Sequence, residues 1–302
     1  MKVYSPSATT NFMASPASHY LRYEQGWEPY RVDKGDLAAI LGTAFTKAVA
    51  EFWRLGGHSF DVGRTSVLES LSEKYAVSRL KELADAGAQI DTKVIDLYEV
   101  LPMRAASIIR NYIPLNPIPT AWEVKAVEPP LPDHGNARPD LIVSPMDGVI
   151  APLDYKCKLM LTKSKYYDPH QRNCEEINHA WQMMHYAWAC GDIFGTRPDV
   201  FYVVFLYLEP SFEVVLEDFY IDQEILALWY QSAETVWALM EHMETGSIEP
   251  LQRVITEKGR LYPWHNFQWF DRWGKSDYTE AFLECKLHKN LLEKKYINRR
   301  KK

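Results

Sequence analysis

Hydrophobic positions along the chain fall into two rhythms that change near residue 115. From Gly35 to Leu55 apolar residues recur at 37, 40, 41, 45, 48, 49, 52 and 53, the alternating three-and-four spacing of one helical face. Thr65 to Ala86 and Lys93 to Tyr112 predict two further helices, and prolines at 114, 117 and 119 end the pattern. Beyond them Ala121 to Glu128, Arg138 to Ser144 and Val149 to Cys157 predict three strands. A helix over Cys174 to Phe194 follows, then strands over Val200 to Leu208 and Phe212 to Ile221, then a helix over Gln223 to Met243. Residues 1–33 read as aromatic and turn-rich, without a periodic element. This order predicts a mixed α/β fold with one central sheet flanked by helices. No repeat with a period of about 20–50 residues interrupts it. The chain therefore reads as one domain over 1–302: a helical N-terminal part (1–115), a core (116–222), a C-terminal helical part packing on the N-terminus (223–285) and a basic tail (286–302).

Composition narrows the class. Of 302 residues 47% are hydrophobic and 25% charged, which excludes a disordered or fibrous chain. Ten Trp, 18 Tyr and 12 Phe supply a large core and rings for stacking. No apolar run approaches the roughly 18 residues of a spanning helix, and the N-terminus lacks an apolar signal core. Cysteines at 157, 174, 190 and 285 do not make a disulfide scaffold. These features predict a soluble cytoplasmic protein with no membrane partner. Net charge is −6, yet Lys286 to Lys302 alone carries +7, leaving −13 on the rest. Such a tail is either an arm for phosphates or a solvated end.

The chemistry concentrates in Arg138-Pro139-Asp140-Leu141-Ile142-Val143 and Leu153-Asp154-Tyr155-Lys156-Cys157-Lys158. Residues two apart on a strand share a face, so Asp154, Lys156 and Lys158 point one way and Tyr155 the other. A two-residue Asp147-Gly148 loop would pair Asp140 with Tyr155 and put Asp154 on the wrong face. A three-residue Met146-Asp147-Gly148 loop, ending on a left-handed glycine, pairs Asp140 with Asp154 instead. We favour the second, with Pro152 admitting a local bulge. Two carboxylates and the Tyr155 backbone carbonyl are hard oxygen ligands suited to Mg²⁺ or Mn²⁺. A lysine beside them can orient a water and offset developing charge. The competing reading is an edge hairpin with charges facing solvent; apolar Ile142, Val143, Ile150 and Leu153 make these strands look buried, where ionised groups are costly. Gln182 and Tyr186, at i and i+4, share one face of the next helix.

Together, Pro139-Asp140, Asp154-Tyr155-Lys156 and Gln182…Tyr186 resemble the PD-(D/E)XK nuclease superfamily. Within it they resemble the RecB-type branch, which includes CRISPR spacer-acquisition nucleases and many phage exonucleases. Gly42-Thr43-Ala44-Phe45 resembles the opening of that branch's first helix, Gly-Thr-x-x-His-x-x-x-Glu; here Thr46 replaces the His and Glu51 falls one residue late. Glu128 resembles the Glu often found on the first strand near the metal, with Glu123 as the alternative. Many members tie their two ends with an iron–sulfur cluster. This chain keeps a similar frame at Ser15, Ser276, Thr279 and Cys285, and one thiolate cannot hold a four-cysteine cluster. No cluster is expected. The resemblance implies a restriction-endonuclease-like core and a Mg²⁺- or Mn²⁺-dependent deoxyribonuclease, either an exonuclease or an end-processing enzyme. Its partner would be DNA, single-stranded or with a free end, in a bacterial or phage-infected cell. Asp140, Asp154 and Lys156 would be catalytic, with Gln182, Tyr186 and Lys158 on the substrate strand. A structure-specific or site-specific endonuclease and a silent nucleic-acid-binding subunit remain as alternatives.

Overall fold

The periodic stretches form the elements that their patterns predict, with the ends moved by a few residues. The computed structural model describes residues 2–14, 19, 27–29, 31–158, 174–208, 211–245 and 296–298. Its helices are α1 (Pro6–Ala14), α2 (Lys34–Arg54), α3 (Thr65–Asp85), α4 (Ile95–Tyr112), α5 (Cys174–Phe194) and α6 (Gln223–Glu244). Three short strands, β1 (Trp27–Pro29), β2 (Arg31–Val32) and β3 (Gln89–Ile90), precede the central sheet. That sheet consists of β4 (Glu123–Val127), β5 (Leu141–Ser144), β6 (Ala151–Lys158), β7 (Val200–Tyr207) and β8 (Glu213–Tyr220), adjacent in that order. A last strand, β9 (Tyr296–Asn298), pairs antiparallel with β1. Part of the basic segment 286–302 is thus in a strand against residues 27–29.

The turn-rich reading of residues 1–33 misses α1 and the two short strands that follow it. Ser5 and Pro6 carried the signal for α1. The Ser5 hydroxyl accepts from the Ala8 N–H at 3.2 Å, and proline opens the first turn, where its missing donor is harmless. Helix α2 begins at a reciprocal capping box between Asp33 and Asp36, which satisfies two orphan N–H groups.

Strands β4 to β6 are antiparallel, β6 and β7 are parallel, and β8 returns antiparallel to β7. Helix α5 makes the crossover that a parallel pair needs. Leu141 pairs with Leu153 and Val143 with Ala151, so the ladder carried one step further sets Asp140 opposite Asp154. This is the register of the three-residue loop, but the connection is wider than a three-residue hairpin. Pairing stops at Val143 and Ala151. The reversal is a turn in which Val149 N–H bonds Met146 O at 3.1 Å, and Gly148 supplies φ 78, which only glycine adopts freely.

The sheet separates two cores. On one face α2 and α4 pack Phe45, Val49, Trp53, Ile109 and Tyr112 against Leu153, Tyr155 and Val204. On the other, α1, α5 and α6 pack Phe12, Met183, Trp188 and Trp237 against Phe201 and Val203. Burying each such side chain contributes about 1.5–3 kcal/mol. Trp237 donates its indole N–H to the Thr9 hydroxyl at 3.1 Å, joining α6 to α1. No helix among the described residues is long and apolar enough to cross a membrane.

Candidate active site

Asp140 stands one residue ahead of β5, because Pro139 has no N–H to extend the ladder. Its backbone and side chain work in opposite directions. The carbonyl accepts from Glu128 N–H at 2.9 Å, and carboxylate Oδ2 accepts from Tyr155 N–H at 2.7 Å. That second bond takes the place of a ladder partner on β6, whose residues beyond Asp154 have no β5 strand beside them.

Asp154 is 3% exposed and forms an ion pair with Lys156. Lys156 Nζ donates to Gln182 Oε1 at 3.0 Å, and Gln182 Nε2 donates to the Tyr186 hydroxyl at 2.6 Å. The Tyr186 hydroxyl donates to the Arg138 carbonyl at 3.1 Å. A closed path therefore runs from Asp154 through Lys156, Gln182 and Tyr186 to the residue two before Asp140. The pieces come from β6, α5 and the approach to β5, and the i, i+4 spacing of Gln182 and Tyr186 makes the middle links possible. Tyr186 is 4% exposed and its hydroxyl both accepts and donates; burial, and then the charges of Asp154 and Asp140, hold its pKa well above the usual tyrosine value. Lys158 pairs with Tyr207 in the ladder, and its side chain lies outside the described part.

Burial raises the Asp140 carboxyl well above the usual carboxylate range, and the neighbouring charge of Asp154 adds to this. Two carboxylates forced together on one face call for a cation, and their oxygens are the hard donors that Mg²⁺ and Mn²⁺ prefer. Asp140 and Asp154 thus fit a divalent ion. Among the described residues no three His, Cys, Asp or Glu side chains converge as a metal cage.

Glu128 explains the missing third carboxylate. In a regular pleat it would share the Asp140 face, but its backbone is left-handed, φ 45. Its carboxylate instead meets α2, accepting from Arg54 Nη2 at 2.8 Å with Lys47 Nζ 3.8 Å away. A left-handed non-glycine residue costs of order 1–3 kcal/mol, while exposed ion pairs return about 0.2–1 kcal/mol each. Glu123, at the far end of β4 opposite Ser144, pairs with Lys125 at 2.5 Å and is remote from Asp140.

Sequence reasoning missed the groups that fix Tyr155 from behind. Trp53 Nε1 donates to the Tyr155 hydroxyl at 3.0 Å, and the Tyr112 hydroxyl lies 3.1 Å from it. Phe45 packs edge-on against both tyrosines. It also missed Lys47 and Arg54, whose spacing of seven on one helix was the available signal. Thr46, in the place of the family histidine, bonds the Thr43 carbonyl of its own helix at 3.1 Å. Ser15, Ser276, Thr279 and Cys285 lie outside the described residues.

The family model of the PD-(D/E)XK nuclease superfamily matches residues 3–253. Comparison with curated proteins found no match.

Proposed function

The chain belongs to the PD-(D/E)XK nuclease superfamily, and from that membership we propose that it is a metal-dependent deoxyribonuclease acting at DNA ends, of the RecB-like kind. The observation that carries the reading is the path from Asp154 through Lys156, Gln182 and Tyr186 to Arg138, beside the paired carboxylates. A solvent-facing edge hairpin would not bury Asp154 or hold its lysine from a second element.

Asp140, Asp154 and the Tyr155 carbonyl would hold Mg²⁺ or Mn²⁺, which when bound polarises a phosphate oxygen and lowers the pKa of water. The protein's own residues do the rest. Lys156 presents its ammonium beside Asp154, where it orients the attacking water and offsets charge developing on the phosphate. Gln182 fixes that ammonium, since its Oε1 accepts from Lys156 and its Nε2 is committed to Tyr186. Tyr186 ties the assembly to Arg138, on the approach to β5. Gln182 and Tyr186 thus position Lys156 through bonds made within the protein, and on the resemblance they would also contact the substrate strand. On the resemblance, Lys158 would contact the substrate strand.

The same reading treats residues 1–302 as one nuclease domain in the cytoplasm, without an iron–sulfur cluster. Iron analysis of purified protein tests the last point. Activity is tested with end-labelled linear and circular DNA in Mg²⁺, Mn²⁺ or EDTA. Shortening of linear DNA from its ends, abolished by EDTA, is the expected result. Cut circles would replace the exonuclease reading with an endonuclease, and binding without cleavage in either metal would leave a silent subunit.

A further inference from the structure

We propose that Lys47 and Arg54 of α2 are phosphate contacts for the nucleic-acid strand entering the site, and that Glu128 is the resident anion which that phosphate displaces. This rests on the nucleic-acid reading above and adds to it a second place where the strand is held.

Three observations converge. Glu128 is joined to the site through its backbone, since its N–H bonds the carbonyl of Asp140 at 2.9 Å. Its left-handed conformation turns the carboxylate out of the pleat and onto two cations seven residues apart on α2. The exposures are unequal: the Glu128 side chain is 14% exposed, Arg54 45% and Lys47 43%. The anion is covered while the cations face solvent, as expected where a further anion is to be received.

The donor geometry has room for that anion. Lys47 is 3.8 Å from Glu128, too far for a hydrogen bond. Arg54 commits Nη2 to Glu128 at 2.8 Å, and its Nη1 lies 3.7 Å from Glu51, again beyond hydrogen-bond reach. A guanidinium has five donors in a planar fork that matches phosphate oxygens. As a structural staple the arrangement is weak, because a strained backbone conformation secures only surface pairs. As a holding site it has a purpose: the carboxylate keeps both cations gathered at Glu128, one backbone hydrogen bond from Asp140, until a phosphate of greater charge replaces it.

The proposal gives opposite signs to neighbouring substitutions. Binding of a fluorescent single-stranded oligonucleotide is measured in EDTA, so that cleavage does not intervene, across a range of salt concentrations. Arg54→Gln and Lys47→Gln should each weaken binding about fivefold, the scale of one exposed charge contact. Each should also flatten the log affinity–log salt slope by about 0.7. Arg54→Lys should restore most of the slope. Glu128→Gln should tighten binding and steepen the slope, because a competitor for both cations is gone. In Mg²⁺ the Arg54 and Lys47 losses should fall on KM more than on kcat. Unchanged slopes in Arg54→Gln and Lys47→Gln would overturn the proposal, as would weaker binding by Glu128→Gln. Loss of metal-dependent cleavage in Glu128→Gln at unchanged affinity would overturn it too, by making Glu128 a metal ligand. Cleavage by the unaltered protein is scored separately: if it binds with the predicted slopes but never cuts, the phosphate contacts stand and the nuclease reading falls.

Discussion

The two faces of β6 differ in everything but their backbone. Tyr155 enters an apolar core and is held by Trp53 and Tyr112, while Asp154 and Lys156, one residue to either side, pair with each other and reach Gln182 and, through it, Tyr186. A strand's two-residue period thus lets one segment act as anchor and reagent together. The anchoring face lends rigidity, and the opposite face carries the strain of two close carboxylates. Displacing β6 by a fraction of an ångström would disturb Asp140, which bonds the Tyr155 N–H at 2.7 Å. The chemistry on one face depends on packing on the other.

The comparison breaks most severely on the reactive face. Asp154→Ala should abolish cleavage by removing a ligand, and Lys156→Ala should lower kcat by about 10²–10⁴-fold while calorimetry still detects Mg²⁺ binding. Both variants should still unfold cooperatively, at a lowered midpoint because each leaves one charge of a largely buried pair unmatched. Wild-type cleavage by Asp154→Ala would show that the charged face is not the reacting one.

A smaller effect separates the faces by pH. Among the described residues both buried histidines, His19 and His185, lie on the reactive side. Burial lowers each from the ordinary 6.5 to about 4. The unfolded chain takes up their protons first as pH falls, so stability is level above about 6.5 and declines toward about 4. Each histidine contributes on the order of 3 kcal/mol to that decline. His185→Phe should therefore lose less stability than wild type between pH 7 and 4.5, measured as urea midpoints. Equal declines would assign the acid sensitivity elsewhere.

The smallest effect belongs to the anchoring face. Tyr155→Phe gives up bonds to Trp53 and Tyr112 and leaves a buried indole N–H unpaired, which should cost about 1–3 kcal/mol of stability. Activity per folded molecule should stay close to wild type, since Asp140 bonds the Tyr155 backbone rather than its ring. A large kcat loss with little destabilisation would mean that the anchor also tunes the chemistry.

What could be read in advance followed from local rules. The period of two put Asp154 and Lys156 on one face, and loop length with Gly148 put Asp140 opposite them. Gln182 and Tyr186 were legible as a pair by helical spacing, but not the order of their bonds, which depends on where α5 docks. The Tyr155 anchor joins residues 102 and 43 apart in sequence, and no local pattern announces such contacts. Glu128 escaped for a different reason: Pro129 marks the end of the strand, but glutamate has no special preference for a positive φ and the residue before a proline favours extended backbone, so the local sequence does not signal that Glu128 turns out of its pleat. Helix α1 is short, and its Ser5-Pro6 opening is a signal that aromatic neighbours obscure.

Gly135, with φ 67, lies in the loop that leads to Pro139 and Asp140. A Cβ there would fall 2.4 Å from the Tyr4 carbonyl carbon and 2.7 Å from Ser5 N. The obstacle is main chain, which every amino acid at positions 4 and 5 would present alike. A side-chain clash can be relieved by a second substitution that trims the partner; this one has no such suppressor. Mutational paths away from glycine at 135 are closed from both ends of the contact. A selection for revertants of Gly135→Ala should return the original codon or changes that move the whole N-terminal segment, and no replacement of Tyr4 alone.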